Sequence, residues 1–251
     1  MLMKKAMLEK LYRIRHYEVD FKKRALVTSL MNYFDDIAMI HIEELGVGID
    51  YMRQTGKAWV LYQWDIHINE YPTFNEQVIV RTEARAFKKF YACRTFKILN
   101  LRGDTLVTAN SIWLLSNIKK KKPMKITDDM YEAFGLAKDV VAFPDIKQIP
   151  KPDNIHIQKD FYVRYSDIDT NGHVNNVKYA AWSLETVPLE IVKTHMLTGL
   201  KVIYKKETLY GKTIKTQTEI KHTDDKTVCA HLKTDDEGVE LSILESRWEK
   251  K

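Results

Sequence analysis

The sequence predicts an α+β fold in which a long helix wrapped by an antiparallel sheet occurs twice in tandem. Three observations carry this. A segment of helical period stands between one strand-like segment and a run of four more. The same order of elements recurs in the second half of the chain. The strand-like segments are too long and too apolar to face water on both sides, so each sheet needs a helix to cover it.

In the first copy, YRIRHYEVD (12–20) alternates like a strand, and LVTSLMNYFDDIAMIHIEELG (26–46) carries apolar residues at helical spacing until Gly46 ends it, giving about five turns. Four strands follow, KAWVLYQWDIHINEY (57–71), EQVIVRTEARAF (76–87), KFYACRTFKILN (89–100) and TLVTANSIWLLSN (105–117), separated by turn signals such as Tyr71-Pro72 and Arg102-Gly103. In the second copy FYVRY (161–165) is the first strand and HVNNVKYAAWSLETVPLEIVK (173–193) the helix. LKVIYKKETLY, KTIKTQTEIKH, KTVCAHLKT and VELSILESRW complete the sheet. Tyr33 and Tyr179 read as similar helix positions, Cys93 and Cys229 fall in matching strands, and Ser-x-Trp closes both copies at Ser111–Trp113 and Ser246–Trp248. Each copy is the pattern of a hot-dog fold, and because a lone copy leaves a sheet edge open, two in tandem predict a double hot dog. The expected boundaries are 1–117 for the first copy, 118–156 for a linker and 157–251 for the second. The linker holds four of the six prolines, Pro123, Pro144, Pro150 and Pro152, with a short helix expected over 130–136.

A chain of 251 residues buries enough surface to fold without staples. Cys93 and Cys229 lack metal-ligand or CxxC spacing and read as small buried residues, with no disulfide framework. No apolar run approaches the roughly 18 residues of a membrane span, and the first ten residues lack the apolar core of a secretory signal, so a cytoplasmic protein without stable membrane insertion is expected. The net charge of +6 and pI near 9.0 suggest an anionic partner. The lysine run 119–122 has no interleaved aromatics and no nucleic-acid motif nearby, so a solvated stretch or an acidic protein contact is expected rather than nucleic acid.

SDIDTNGHVNN (166–176) is the segment richest in chemistry. Asp167, Asp169 and Asn171 alternate before Gly172 as in a calcium loop, but the twelfth position from Asp167, where a bidentate carboxylate belongs, is Lys178. No metal is expected, and no cofactor. The bland reading is helix capping by Asx residues. Capping explains one Asp or Asn but not the whole group around one helix start, with His173 projecting from the first turn. There the helix N-terminus offers N–H groups to a carbonyl oxygen gaining negative charge, and its field disfavours an imidazolium.

DIDTNGHVNNVKYAAWSLETVP and KKETLYGK, together with WVLYQ, INEYPTFNEQV and ANSIWLL in the first half, resemble the acyl-ACP thioesterases of bacteria and plant plastids over nearly the whole chain. Shorter forms of HVNNxxY occur in hot-dog enzymes acting on acyl-CoA, and the first-half match is what favours the ACP family. The resemblance implies a hydrolase of fatty acid biosynthesis that releases free fatty acid and holo-ACP, with Asp169, Asn171 and His173 joined by Glu207 on the strand after the helix. Glu207 and His173 would activate water, Asn171 and N–H groups near Gly172 would hold the oxyanion, and Asp169 would fix the loop or the imidazole. Some accounts of the family place a cysteine nucleophile after that Glu; here the residue is Thr208, which counts against a covalent cysteine mechanism. The first copy reads DFKKRALVTS at this point, without Asn-x-His, so one site per chain follows. The resemblance places an acyl tunnel mainly in the first copy, with Met31, Phe34, Ile37, Met39, Trp59, Leu61 and Trp64 as candidate lining, although most residues of this kind are simply core. The implied partner is an acidic acyl carrier protein; homodimer formation and chain-length preference are left open. The rival readings are an acyl-CoA thioesterase of the same fold, a 3-hydroxyacyl dehydratase, a non-catalytic acyl-binding protein and a nucleic-acid binder.

Overall fold

The computed structural model describes residues 6–138, 143–144, 146 and 148–250. Two compact units share the chain: Met1–Tyr62 with Asn69–Ile146, and Gln63–Ile68 with Lys147–Lys251.

In the first unit β1 (Met7–Arg13) leads through a 3-10 turn (His16–Glu18) into α1 (Val27–Glu44) and the short α2 (Ile49–Gln54). β2 (Lys57–Ile68), β3 (Gln77–Lys88), β4 (Tyr91–Leu99) and β5 (Thr105–Asn117) follow, and the sheet order is β1-β3-β4-β5-β2. The predicted first strand is displaced. Pairing with β3 begins at Met7 and stops at Arg13, because Arg15 and Glu18 close a capping box that turns the chain. Leu30, Met31, Phe34, Ile37, Ala38 and His41 form the buried stripe of α1, at the spacing an amphipathic helix requires. Full burial of each Leu, Ile, Met or Phe among them contributes about 1.5–3 kcal/mol. The helix ends where Gly46 takes φ +73°, a conformation that costs glycine nothing.

The stretch 118–138 adds β6 (Lys122–Pro123), paired with the end of β5, and α3 (Asp128–Phe134). Ile126, Met130 and Phe134 are buried in one cluster with Val47, Met52, Phe87 and Leu115. Lys119–Lys122 lie exposed beside this attachment.

The second unit repeats the plan with β7 (Ile157–Tyr162), a 3-10 turn (Tyr165–Asp167), α4 (Asn176–Leu184), α5 (Leu189–Thr194), β8 (His195–Tyr204), β9 (Thr213–His222), β10 (Lys226–Thr234) and β11 (Glu240–Lys250). Its sheet runs β8-β11-β10-β9-β7, and Gln63–His67 of β2 pair with β8. The helix predicted over 173–193 is split at Pro188, which caps α5 with no N–H of its own to donate. Ser-x-Trp makes the same bond in both copies: Trp113 Nε1 donates to Ser111 Oγ (2.7 Å) and Trp248 Nε1 to Ser246 Oγ (3.0 Å). Each copy is a hot-dog unit, and the chain is a double hot dog.

Candidate active site

Backbone geometry between β7 and α4 is set by two aspartates. Asp167, fully buried, accepts from the Arg164 N–H and guanidinium (2.9–3.1 Å), and Lys178 lies 3.3 Å away. Burial alone would raise its carboxyl, but the hydrogen bonds from Arg164 and Lys178 outweigh this and hold it below the ordinary aspartate value. Asp169 Oδ1 accepts the N–H groups of Asn171 (2.8 Å) and His173 (3.2 Å), and the Asp169 carbonyl accepts from Gly172 (3.1 Å). Asp169 therefore organises the loop.

Two details of the expected site are corrected. His173 does not project from the first helical turn: Asn175 is the N-cap, its Oδ1 accepting from Val177 N (2.9 Å), and α4 begins at Asn176. The helix-field argument for His173 loses its geometric basis. The N–H of Gly172 is spent on Asp169, while the Asn171 side-chain amide is exposed; its hydrogen bond to Asp169 Oδ2 is long at 3.5 Å.

Glu207 lies not on a strand but three residues beyond the end of β8. The two loops are tied by the Val174 N–H donating to the Thr208 carbonyl (3.0 Å). His173 Nε2 sits 3.3 Å from Glu207 Oε1, with both side chains partly open to solvent. That separation is ion-pair range, and a carboxylate so placed can pair with the imidazole and orient it. Asp169, Asn171, His173 and Glu207 are thus assembled at the connection of two loops.

The first copy shows what the scaffold is without this chemistry. Asp20 Oδ1 accepts the N–H groups of Lys22 (2.8 Å) and Arg24 (3.0 Å), and Ala25 N–H donates to the Pro72 carbonyl (2.8 Å). These bonds superpose Asp20 on Asp169, Lys22 on Asn171, Arg24 on His173 and Tyr71 on Glu207. Where the second copy has an imidazole against a carboxylate, the first has the Arg24 guanidinium 5.3 Å from the centre of the Tyr71 ring. At these positions the first copy has neither the imidazole–carboxylate pair nor the amide.

Of the tunnel candidates, Met31, Phe34 and Ile37 are buried on α1, Leu61 is buried on β2, and Trp59 is partly buried, its ring 5.9 Å from Phe87. Trp64 is fully buried but belongs to the second unit. Met39 is corrected: it faces outward and is exposed. Both cysteine thiols are buried and pushed up to about 11 by desolvation, which removes them as thiolate nucleophiles. Among the described residues no group of His, Cys, Asp and Glu could hold a metal ion.

Sequence reasoning missed two features. Arg164 and Lys178 pin Asp167, a signal legible in the i, i+3 spacing of Arg164 and Asp167. Tyr179, noted only as a repeat of Tyr33, is buried with its hydroxyl unbonded; counted from the helix caps it aligns instead with Leu30, and Tyr33 with Trp182.

The chain matches the profile of the acyl-ACP thioesterase N-terminal domain over residues 5–134 and that of the C-terminal domain over residues 151–250. A chloroplastic palmitoyl-acyl carrier protein thioesterase of Gossypium hirsutum is 28% identical over 260 residues, covering 96% of this chain and 63% of that protein. The chain therefore spans less than two thirds of that relative's length. Two solved structures share the fold: a 12:0-ACP thioesterase from Umbellularia californica (TM-score 0.86, 24% identity, 98% of this chain and 94% of that one) and an acyl-ACP thioesterase from Bacteroides thetaiotaomicron (TM-score 0.85, 20% identity, 99% and 100%).

Proposed function

Since this chain belongs to the acyl-ACP thioesterase family, we propose that it hydrolyses fatty acyl-ACP thioesters to free fatty acid and holo-ACP, with His173 and Glu207 acting together as the base. The observation that carries this reading is the 3.3 Å approach of His173 Nε2 to Glu207 Oε1, two residues 34 positions apart in the chain.

The pair removes a proton from water as the oxygen attacks the thioester carbonyl. Base catalysis of this kind is worth about 10²–10⁴-fold. Negative charge gathers on the carbonyl oxygen, where the Asn171 amide donates to it. The C–S bond then breaks. A thiol of ordinary pKa, near 8.5, departs as thiolate and takes up the proton held by the pair, so the acid has little to do and the base most of the work. Asp169 acts on the loop, holding Asn171 and His173 at their stations through their own N–H groups.

The net charge of +6 supports an acidic carrier protein as the partner that delivers the thioester. Fatty acid biosynthesis in the cytoplasm is the setting we propose for it. The deciding experiment is incubation of purified protein with a panel of acyl-ACPs and the matching acyl-CoAs, with the released acids identified. Faster release from ACP at equal concentration supports the proposal; preference for CoA would place the enzyme with the acyl-CoA hydrolases of the same fold, and release from neither would remove the hydrolytic reading.

A further inference from the structure

We infer that Tyr179 is a positioning residue for this site: its buried phenolic O–H acts through Glu207, holding that carboxylate against His173. The inference rests on the proposed hydrolysis and adds to it a fifth residue.

Tyr179 lies on α4 with its ring edge-on to Tyr204 (centroids 5.7 Å apart) and to Trp182 (5.8 Å), so the direction of its hydroxyl is set by packing. The residue is 3% exposed, and its hydroxyl has no hydrogen-bond partner of normal geometry among the described residues. A phenylalanine would fill the same space without burying an unsatisfied group, so the O–H needs a reason to be there. The first copy supplies the contrast. At the corresponding helix position it has Leu30, fully buried and without a polar atom. Within one duplicated scaffold, the copy that has His173, Asn171 and Glu207 is the copy that has a buried hydroxyl at this helix position.

What surrounds that hydroxyl fits the role. Burial pushes the phenol well above its ordinary range; the Thr208 N–H opposes this from short of hydrogen-bond geometry, and the Glu207 and Asp169 carboxylates add to it. The group therefore stays protonated as a donor, beside two carboxylates. Asp169 Oδ1 is already occupied by two backbone N–H groups. Glu207 is on a loop, with its side chain half exposed and His173 as its one ion-pair partner among the described residues. A half-exposed glutamate whose ion pair spans 3.3 Å gains from a second, buried donor. Catalytic hydrogen bonds of this kind tighten when substrate enters.

The test is Y179F, with Y33F as control, because Tyr33 donates to Glu18 in the other unit and touches none of these residues. Y179F is expected to keep or raise Tm, leave KM unchanged and lower kcat about ten- to a hundredfold, while Y33F lowers Tm and keeps kcat. Crystal structures of wild type and Y179F give a readout that needs no turnover, and in the variant Glu207 is expected to turn away from His173. An unchanged kcat in Y179F alongside an active wild type overturns the inference and leaves the hydrolysis standing. If wild type is inactive the proposed function falls, and a His173–Glu207 contact preserved in Y179F would then overturn the positioning role as well.

Discussion

Asn171 is the residue whose role is read most directly from what its neighbours have already spent. The N–H groups of Asn171, Gly172 and His173 all go to Asp169, and those of Val174 and Asn175 go to Thr208 and Asp167. The Asn171 amide remains exposed and loosely held. Replacing it with Ala removes one oxyanion donor and should lower kcat about 10²–10³-fold while Tm changes little, measured by steady-state hydrolysis and thermal melting. At this scale the sequence was informative about identity and less so about geometry. DxNxH declared Asp169, Asn171 and His173, but nothing in the sequence shows that backbone bonding exhausts Gly172. Glu207, flanked by Lys205 and Lys206, carries no local mark of function at all. Its role is legible only from the family resemblance, because the pairing with His173 depends on two loops meeting through the Val174–Thr208 bond.

Among the elements, α4 shows how local chemistry decides a boundary. Asn175 closes the helix start through its side chain, and Pro188 keeps the helix from running on into α5. N175A should cost about 1 kcal/mol of stability, the usual value of an N-cap, visible as a lower denaturant midpoint with unchanged slope. Strands β5 and β10 fall where the alternation of TLVTANSIWLLSN and KTVCAHLKT puts them. The first strand of each copy does not, because Arg15–Glu18 and Arg164–Asp167 are capping boxes written in residues that alternate like a strand. Period-two alternation over four residues cannot be told from a turn that satisfies its own N–H groups. The misplaced equivalence of Tyr33 with Tyr179 has the same origin. Register within a helix is fixed by the cap, and the first copy starts α1 from Leu26, which has no capping side chain to announce it.

On the scale of the whole molecule, the sheets enclose polar groups that composition does not reveal. In the second unit Lys233 is fully buried on β10, donating to Ser183 of α4, with Thr216 and Ser242 as its cross-strand neighbours and His231 two residues before it. Desolvation lowers its ammonium from 10.5 to about 7. Between those values the unfolded chain binds a proton that the folded chain does not, so this group makes stability rise with pH across that window and fall toward its lower end. K233M should remove that slope. Compared at pH 10 and pH 7 by denaturant unfolding, the variant gains on wild type by a few kcal/mol at the lower pH. The tandem repeat itself was legible from element order and from Ser-x-Trp. The absence of the motif from the first copy was legible too, since Lys22 and Arg24 stand where Asn171 and His173 stand in the second. The buried lysine was not, because KTVCAHLKT alternates correctly for a strand and a lysine at an inward position looks like an outward one until the sheet is seen.

The central claim is that His173 and Glu207 work as one base. Single-turnover hydrolysis of an acyl-ACP by wild type, H173A, E207A and the double variant tests it most directly. The pairing predicts a fall of about 10²-fold or more in each single variant and little further loss in the double, because either change already disables the unit. Near-normal turnover in either single variant, or losses that multiply in the double, would contradict it.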